Sequence, residues 1–379
     1  MKVLVVGGGI AGLTLAAFLE ASNIEYEVVE KCPDWSHLGY LISIWDAGRD
    51  IMKKLGLAEQ FDKFGSPKHA YSVRDGSGRV LREFNFQELY SRYGGAITAL
   101  SRSALHSLVL NAIPKSKIRM DRTVESFTQE QGAARCVFND GTEATYDVVV
   151  GADGIHSSIR KQAFCDAVEH YEEWRVWYAW IDGKFDQSGA ITEYVEAGEF
   201  AVVFSAGDKT MACFSAPMSH AIRDEPGDRL ENLKRLFQHE TFLIPSALEG
   251  LAAENIMPTD LIEIHLTTWS KGRVVLLGDS AHNFGPHIGM GGSMALEDAY
   301  VLAGELLKAS QSGDVRTCLE RYERERKRRI HLAERISHRI RNGTLIRSRI
   351  YRQIANMFMA HVPDSYITAD LDRLLREEI

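Results

Sequence analysis

A glycine-rich turn between a short apolar strand and a helix constrains the fold of this chain more than any other feature. Lys2–Val6 is a β-branched run typical of a buried strand, and Gly7, Gly9 and Gly12 follow it with the spacing G-x-G-x-x-G. A helical pattern comes next, and Tyr26–Glu30 predicts a second buried strand. This order predicts a βαβ unit, which belongs in a parallel sheet covered by helices.

Such a turn can hold the diphosphate of a dinucleotide. The glycines allow the backbone to approach the ligand closely, and the helix N-terminus offers unpaired N–H groups and the positive end of its dipole. Glu30 is expected to accept hydrogen bonds from the adenosine ribose. Ile10, Ala11 and Lys31 flank these positions and are included in the predicted cofactor site. The pattern alone does not separate NAD from FAD.

A second motif is an Asp-Gly pair, Asp153 and Gly154, directly after the apolar run Val148–Val150 and before a helix predicted from about Ser157. The Asp153 carboxylate is therefore expected at the carboxyl edge of a strand, where open α/β sheets bind ligands. Taken alone, an Asp-Gly pair is more often an ordinary turn.

A third motif follows a buried strand predicted at Arg273–Leu277. Asp279 can accept hydrogen bonds from a polyol chain, and Gly289, Gly291 and Gly292 can bring backbone N–H groups against a flat ligand. The helix predicted to begin there directs its positive end at developing negative charge, as in a reduced flavin.

These three motifs, in this order, resemble the group A flavoprotein monooxygenases, the family of para-hydroxybenzoate hydroxylase. Within it, Tyr300–Leu306 is similar to the tetracycline-inactivating enzymes, and the chain also resembles the compact quinolone hydroxylases. The resemblance implies FAD, with NADH or NADPH as reductant and O₂ as co-substrate. It further implies a flavin C4a-hydroperoxide that hydroxylates an aromatic or polycyclic small molecule.

The resemblance also implies residue roles. The first glycine turn and Glu30 would bind the ADP half of FAD, and Arg102 and Asp153 would contact cofactor. Asp279 would hold the ribityl chain and Pro286 would lie beside the reactive flavin edge. The isoalloxazine would face the loop Gly289, Met290, Gly291 and Gly292, where the family usually has Gly-Gln-Gly instead of Gly-Met-Gly.

The fold class expected is α/β: a Rossmann-type FAD-binding domain, a mostly antiparallel β-sheet substrate domain and C-terminal helices. A chain of 379 residues exceeds the roughly 250–300 residues of one ordinary core, which favours two lobes. The predicted FAD-binding domain comprises 1–68, 98–168 and 270–310. The predicted substrate domain comprises 69–97 and 169–269, and 311–379 is expected to form a helical segment bridging the lobes.

Within the substrate domain, strand-like runs separated by Gly and Asp predict an antiparallel sheet that lines a closed apolar pocket. The bulky candidates for this pocket are Tyr178, Trp180, Tyr194, Phe204, Met211 and Phe214. Strand alternation means that some of them must point elsewhere, and for each one ordinary core packing is the competing interpretation.

Pro286 and His287 are the candidate catalytic residues. The neighbours of His287 place it near the flavin, where it could orient or deprotonate a phenolic or enolic substrate. The competing interpretation is a hydrogen-bonded surface histidine in a loop, and the residues alone do not decide between them.

Composition excludes several other classes. A net charge of -8 argues against a nucleic-acid partner, and no apolar run approaches the ~20 residues of a membrane helix. Five scattered cysteines favour neither a disulfide framework nor a metal site, which predicts a cytoplasmic protein. The Arg-rich segment Arg321–Arg352 is interpreted as a solvated helix face, and a monomer or weak homodimer is expected.

Two alternatives share the FAD scaffold: a reductase or saturase that moves hydride without oxygen insertion, and a redox-inert FAD-binding sensor. A flavin halogenase is disfavoured, because Trp174, Trp177 and Trp180 are spaced by three residues and the halogenase motif Trp-x-Trp-x-Ile-Pro is absent.

Overall fold

The structure is a computed structural model. It describes residues 1–35, 39–85, 97–130, 132–182, 189–206, 209–219, 224–238, 244–249 and 251–376. The predicted substrate domain includes residues 86–96 and 183–188, which lie outside the described residues.

Nineteen strands are formed by the described residues. In chain order they are β1 (Lys2–Val6), β2 (Glu25–Val29), β3 (Leu41–Ile44), β4 (Ser66–Lys68), β5 (Ala70–Asp75), β6 (Val80–Asn85), β7 (Ile97–Ser101), β8 (Ile118–Arg119), β9 (Val124–Glu130), β10 (Ala133–Phe138), β11 (Glu143–Tyr146), β12 (Val148–Gly151), β13 (Val168–Asp182), β14 (Ala190–Glu196), β15 (Glu199–Ala206), β16 (Lys209–Pro217), β17 (Ile256–His265), β18 (Ser270–Lys271) and β19 (Val274–Leu276).

The α-helices lie between and after these strands. In chain order they are α1 (Ile10–Ala21), α2 (Asp46–Lys54), α3 (Ala58–Phe64), α4 (Arg102–Leu110), α5 (Ser158–Ala163), α6 (Arg229–Leu236), α7 (Ile244–Glu249), α8 (Asp279–His282), α9 (Gly291–Ser312), α10 (Val315–Thr344), α11 (Arg349–His361) and α12 (Asp364–Arg376).

A six-stranded sheet in the order β18-β19-β12-β1-β2-β8 forms the first lobe. Its strands are parallel except for the edge pair β18 and β19. The central strand β1 is flanked by β2 and β12, so the glycine turn after β1 and the Asp-Gly turn after β12 emerge side by side. These neighbouring carboxyl ends are where an open parallel sheet binds its ligand.

A seven-stranded sheet in the order β17-β13-β16-β15-β14-β5-β6 forms the second lobe. Every pair is antiparallel except β14 with β5. One face packs toward the main core, and the other covers a separate cluster with α6 and α7 that contains Trp177, Tyr194, Phe214 and Leu233. Because side chains alternate along a strand, each strand of this sheet contributes to both faces.

The sequence patterns predicted most elements but misplaced two boundaries. The apolar spacing over Ile51–Phe64 predicts one amphipathic helix, but the structure has two, α2 and α3, because Gly56 between them has a φ of +74° that ends the first one. The run Tyr146–Val150 likewise predicts one strand, but it is divided at Asp147, so that β11 closes a hairpin and β12 enters the parallel sheet.

The C-terminal residues form a long helix and two shorter ones. Helix α10 runs beside α9, and α11 packs against the hairpin strand β6 of the other lobe. The described part of the chain contains no helix that is long and apolar enough to cross a bilayer.

Candidate active site

The turn after β1 is shaped by its own packing at two of its glycines. Gly7 has a φ of +112°, and a Cβ there would lie 2.3 Å from the Ala152 carbonyl oxygen. A Cβ on Gly12 would lie 2.0 Å from the carbonyl oxygen of Gly7. No side chain fits at either distance, so these two glycines are required for the turn, for its contact with β12 and for the start of α1.

The packing of the protein does not require a glycine at position 9. Its φ of -73° and ψ of -178° suit any residue, and a Cβ there would meet no atom of the described chain within 4 Å. Gly9 is also the N-cap of α1, with no side chain capping the helix and no acidic residue in the first turn. The backbone around Gly9, Ile10 and Ala11 therefore faces open space with unpaired N–H groups, which fits a diphosphate.

Glu30 follows the end of β2 and holds the turn from the other side. Its carboxylate accepts hydrogen bonds from the backbone N–H groups of Gly8 at 2.8 Å and Cys32 at 2.9 Å. Glu30 and Lys31 both line the cavity in front of the turn. A carboxylate has about four acceptor sites, so two remain for the hydroxyls of a ribose.

The Asp153 carboxylate has a structural task in this structure. It accepts hydrogen bonds from the backbone N–H and hydroxyl of Ser158, from the hydroxyl of Ser157 and from the N–H of Ile159. It thereby satisfies N–H groups at the start of α5. Asp153 and Gly154 also line the cavity, and their contact with a cofactor stays a prediction.

A buried charge network fixes the loop that carries Asp279. The Gly278 N–H donates to Asp298, which also pairs with His282 and with the guanidinium of Arg326 at 2.6 Å. Burial alone would raise the pKa of Asp298, but His282 and Arg326 outweigh it and lower the pKa to about 2. Asp298 is thus a permanent anion that anchors α9, α10 and the turn before Asp279.

The loop from Pro286 to Gly292 wraps the adjacent part of the cavity. Pro286 begins a 3₁₀ turn that ends at Gly289, whose φ is +59°. Trp45 stabilises this turn, because its indole N–H donates to the Ile288 carbonyl oxygen at 3.0 Å. Three of the loop glycines line the cavity: Gly289, Gly291 and Gly292.

His287 belongs to this loop, and one nitrogen of its ring is unpaired. Its Nε2 is buried and has no hydrogen-bond partner among the described residues, and its ring lies 6.0 Å from that of Phe200. Burial, together with the positive charges of Arg341 and His338, lowers the pKa of His287 to about 3. The imidazole is therefore neutral near pH 7 and can offer a hydrogen bond or accept one without changing charge.

Residues of all three turns line one cavity of about 1190 Å³, together with Glu30, Asp279 and His287. Typical small-molecule pockets measure roughly 300–1,000 Å³, so this cavity can hold more than one ligand. One end is formed by the three backbone turns, and the other by the inner face of the seven-stranded sheet together with α10 and α11.

The sequence profile of the "FAD binding domain" family matches residues 1–337. An FAD-dependent urate hydroxylase from Klebsiella oxytoca is 30% identical over 336 residues, covering 86% of each chain. The chain belongs to the FAD-binding group A flavoprotein monooxygenases.

Two solved structures show the same fold at lower sequence identity. Klebsiella pneumoniae HpxO, complexed with FAD and uric acid, has a TM-score of 0.91 and 23% identity, covering 99% of this chain and 96% of that one. A tetracycline destructase has a TM-score of 0.78 and 21% identity, covering 100% and 98%. The fold expected from the sequence, a Rossmann-type lobe with a mostly antiparallel second lobe and C-terminal helices, is confirmed.

FAD is accordingly the cofactor of this monooxygenase, with NAD(P)H and O₂ as co-substrates. The cavity has room for FAD beside two of these glycines. A Cβ on Gly9 or on Gly291 would meet no described atom within 4 Å, so the backbone at both positions is open to a ligand. Arg102 lines the cavity with its Nε buried and unpaired within the described structure.

Two of the predicted cofactor residues do not line the cavity. Gly12 lies behind the turn, against the Gly7 carbonyl oxygen, and the other is Met290. Its side chain is fully buried in the main hydrophobic core, and its backbone precedes the first turn of α9. The family's usual Gln is therefore replaced here by a side chain that packs inward, and a contribution to flavin binding would have to come from the Met290 backbone.

The six aromatic and sulfur side chains predicted for the pocket are divided by the structure. Tyr178 and Phe204 line the cavity, whereas Trp180, Tyr194, Met211 and Phe214 do not. Tyr194 and Phe214 point to the opposite sheet face and join the cluster under α6 and α7. Met211 is buried in the main core, and Trp180 is directed away, its indole N–H donating to the Gly39 carbonyl oxygen.

Sequence reasoning missed several cavity residues. Tyr40 stacks on Tyr178, with ring centroids 5.0 Å apart, and its hydroxyl accepts a hydrogen bond from Arg102. This stack joins the loop before β3 to the seven-stranded sheet. Glu193 could have been found from the sequence, because it is a charged residue in the middle of an otherwise apolar strand.

Proposed function

We propose that this monooxygenase hydroxylates a largely apolar aromatic or polycyclic small molecule. The observation that carries the proposal is the apolar character of the inner sheet face. The side chains that line it are Val73, Val176, Tyr178, Ile191, Val195, Phe200, Val202, Phe204 and Cys213. Each buried donor or acceptor left without a partner costs roughly 1–3 kcal/mol, so this wall favours a substrate with few polar groups.

A strongly polar substrate would fit this wall poorly. Urate, on which the Klebsiella oxytoca relative acts, carries N–H and C=O groups around its whole edge, and each needs a hydrogen-bond partner once buried. The apolar wall of the present cavity therefore supports a different substrate from that of the relative. Urate is the natural comparison compound for the experiment below.

The proposed roles of the site residues follow the geometry of the cavity. The backbone at Gly9 and the Glu30 carboxylate would hold the ADP half of FAD, and Asp279 would bind the ribityl chain. The loop Gly289–Gly292 would face the isoalloxazine. When bound, FAD supplies hydride acceptance from NAD(P)H and the transfer of one oxygen atom of O₂.

Pro286 and His287 are proposed to act on the substrate side. Pro286 would narrow the space beside the reactive edge of the flavin and help to exclude water from it. His287, held neutral by its surroundings, would accept a hydrogen bond from a substrate hydroxyl at its unpaired Nε2 and orient the ring. The apolar lining would exclude water and so limit the unproductive release of hydrogen peroxide.

We propose the same division of the chain that the sequence predicts: 1–68, 98–168 and 270–310 for the FAD-binding domain, 69–97 and 169–269 for the substrate domain, and 311–379 as the bridging segment. Two separate sheets support it, because the six-stranded sheet and the seven-stranded sheet take their strands from the first and the second of these divisions. A cytoplasmic location is supported by five free cysteines, and a monomer or weak homodimer stays a prediction.

The test is oxygen incorporation under labelled dioxygen. Holoenzyme with NADPH or NADH would be incubated with ¹⁸O₂ and a panel of 2-naphthol, 4-hydroxy-2-quinolone, a fused tricyclic phenol and urate. Apolar ring systems that stimulate NAD(P)H oxidation and gain one ¹⁸O atom would support the proposal. Turnover of urate alone, or a reduced product without ¹⁸O, would contradict it, the second result in favour of a reductase.

A further inference from the structure

Five polar side chains from the seven-stranded sheet and the C-terminal helices form a cluster in the wall of the cavity. We call it the distal polar cluster, and it consists of Tyr71, Glu193, Thr344, Arg352 and Asn356. These residues come from β5, β14, the end of α10 and the beginning and middle of α11. The remainder of the sheet wall is apolar, so the cluster is the main place where this wall can recognise a polar group.

Glu193 is already well supplied with partners. Its Oε2 accepts a hydrogen bond from the Tyr71 hydroxyl at 2.6 Å, and its Oε1 accepts one from the Thr344 hydroxyl at 3.2 Å. Burial raises the pKa of Glu193, and the two hydrogen bonds oppose that rise. Glu193 is therefore held in place by its neighbours.

Arg352 is less well supplied. It is only 3% exposed, its Nη1 donates to the Thr344 carbonyl oxygen at 3.3 Å, and its buried Nε has no partner among the described residues. Glu193 and Glu196 act on it electrostatically, but neither forms an ion pair with it within the described structure. Burial lowers the pKa of Arg352, and the two carboxylates oppose that change only in part. The charge of the buried guanidinium is therefore not fully balanced by its neighbours.

Asn356 extends the same helix face. It lies four residues after Arg352, so both side chains sit on one side of α11. Its Oδ1 is buried and has no partner in the described part of the chain. Two unpaired polar groups, one cationic donor and one amide, thus line one stretch of the cavity.

We propose that Arg352, through its buried and unpaired Nε, binds an ionised oxygen of the substrate. The substrate class is then an otherwise apolar aromatic or polycyclic compound that carries one carboxylate or ionised enol. An anion is favoured over a neutral carbonyl because a buried guanidinium without an ion pair gains most from a charged acceptor. This inference rests on the proposed function and adds the charge and position of one substrate group.

The test compares acids with their amides in the holoenzyme. Salicylate with salicylamide, and 1-hydroxy-2-naphthoate with its amide, would be titrated while the flavin absorbance spectrum is recorded, which measures binding without turnover. We expect at least one acid to bind about tenfold more tightly than its amide, the low end for a charge-assisted hydrogen bond. Arg352→Met should abolish this preference, and Arg352→Lys should retain part of it.

Controls separate recognition from folding. Arg349→Met changes an exposed arginine of the same helix and should leave the acid preference unchanged. Arg352→Gln keeps a polar side chain in case Arg352→Met does not fold, and both variants must retain FAD. The proposal is overturned if no acid binds more tightly than its amide, including when neither binds, or if a folded Arg352 variant weakens acid and amide equally.

The two experiments together distinguish a failure of the role proposed for Arg352 from a failure of the proposed function. If apolar ring compounds give no oxygenated product, the proposed reaction fails whatever the binding titrations show. If those compounds are oxygenated but the acids bind no better than the amides, only the role of Arg352 is lost.

Discussion

The two ends of the cavity are built in different ways. At the cofactor end the walls are backbone, and each turn comes from a few consecutive residues: Gly7–Gly12, Asp153–Gly154 and Gly289–Gly292. At the substrate end the walls are side chains from several strands of the seven-stranded sheet and from α10 and α11. Backbone cradles tolerate few substitutions, whereas side-chain walls can change with the substrate. The difference explains why relatives with one cofactor can act on different molecules.

The largest effect is expected where buried charges support the cofactor end. Arg326 is 2% exposed and pairs with Glu297 at 2.8 Å and Asp298 at 2.6 Å. Arg326→Met leaves buried carboxylates without this partner and should lower the free energy of unfolding by about 3–5 kcal/mol. Denaturant unfolding measures it, with the exposed Arg324→Met as control, expected within about 0.5 kcal/mol of wild type. Equal effects of the two changes would show that the network does not stabilise this end.

Gly9→Val is the sharpest test of a cradle made for a ligand. A Cβ at this position meets no described atom of the chain within 4 Å, so the protein should fold, but the side chain would fill the space proposed for the diphosphate. FAD affinity should fall about 100-fold or more, equivalent to about 2.7 kcal/mol. Flavin absorbance relative to protein absorbance measures the occupancy, and Gly304→Val on the exposed face of α9 is the control. Full flavin content in Gly9→Val would place the diphosphate elsewhere.

Asp279→Ala removes a side chain rather than a backbone contact. Loss of a charge-assisted hydrogen bond to the ribityl chain should weaken FAD binding by about 1.5–3 kcal/mol. Asp153→Asn is the comparison, because the Asn amide oxygen can still accept from the N–H groups of Ser158 and Ile159 at the start of α5, so a loss of FAD affinity would report the predicted cofactor contact. Fluorescence titration of the apoprotein with FAD measures both. Equal losses would mean that Asp153 contacts the cofactor in addition to capping α5.

His287→Gln should have the smallest effect at neutral pH, and its signature is a pH dependence. The pKa of His287 is about 3 in the folded protein, below the ordinary value of 6.5. The unfolded chain therefore takes up a proton first as the pH falls, and wild-type stability declines below about pH 6.5 by up to roughly 1.4 kcal/mol per pH unit.

In His287→Gln that part of the decline should disappear, whereas stability at pH 8 should change by less than about 1 kcal/mol. Unfolding curves from pH 8 to pH 4.5 test this, with the exposed His331→Gln as the control. Parallel pH profiles for wild type and His287→Gln would show that His287 is not held neutral by burial.

How far the sequence predicts the molecule depends on the distance along the chain. Gly7, Glu30 and Asp279 each lie within a short strand–turn–helix pattern, and such patterns are set by local backbone preferences. Tyr194 and Phe214 were misassigned because the sequence shows alternation along a strand but not which face meets the cavity. Met290 shows a related limit, because a loop residue can turn its side chain inward while its neighbours face the cavity, so the sequence does not show whether side chain or backbone is presented there.

The sequence by itself predicted a dinucleotide site, because that site is made from local turns whose glycines the sequence shows directly. FAD and oxygen chemistry followed from the resemblance of the three motifs to a known family. Only the tertiary structure decided which side chains face the substrate, because that wall unites strands, a helix end and a second helix that lie more than a hundred residues apart. Glu193 and Thr344 are hydrogen-bonded across 151 positions, a contact that no local pattern encodes.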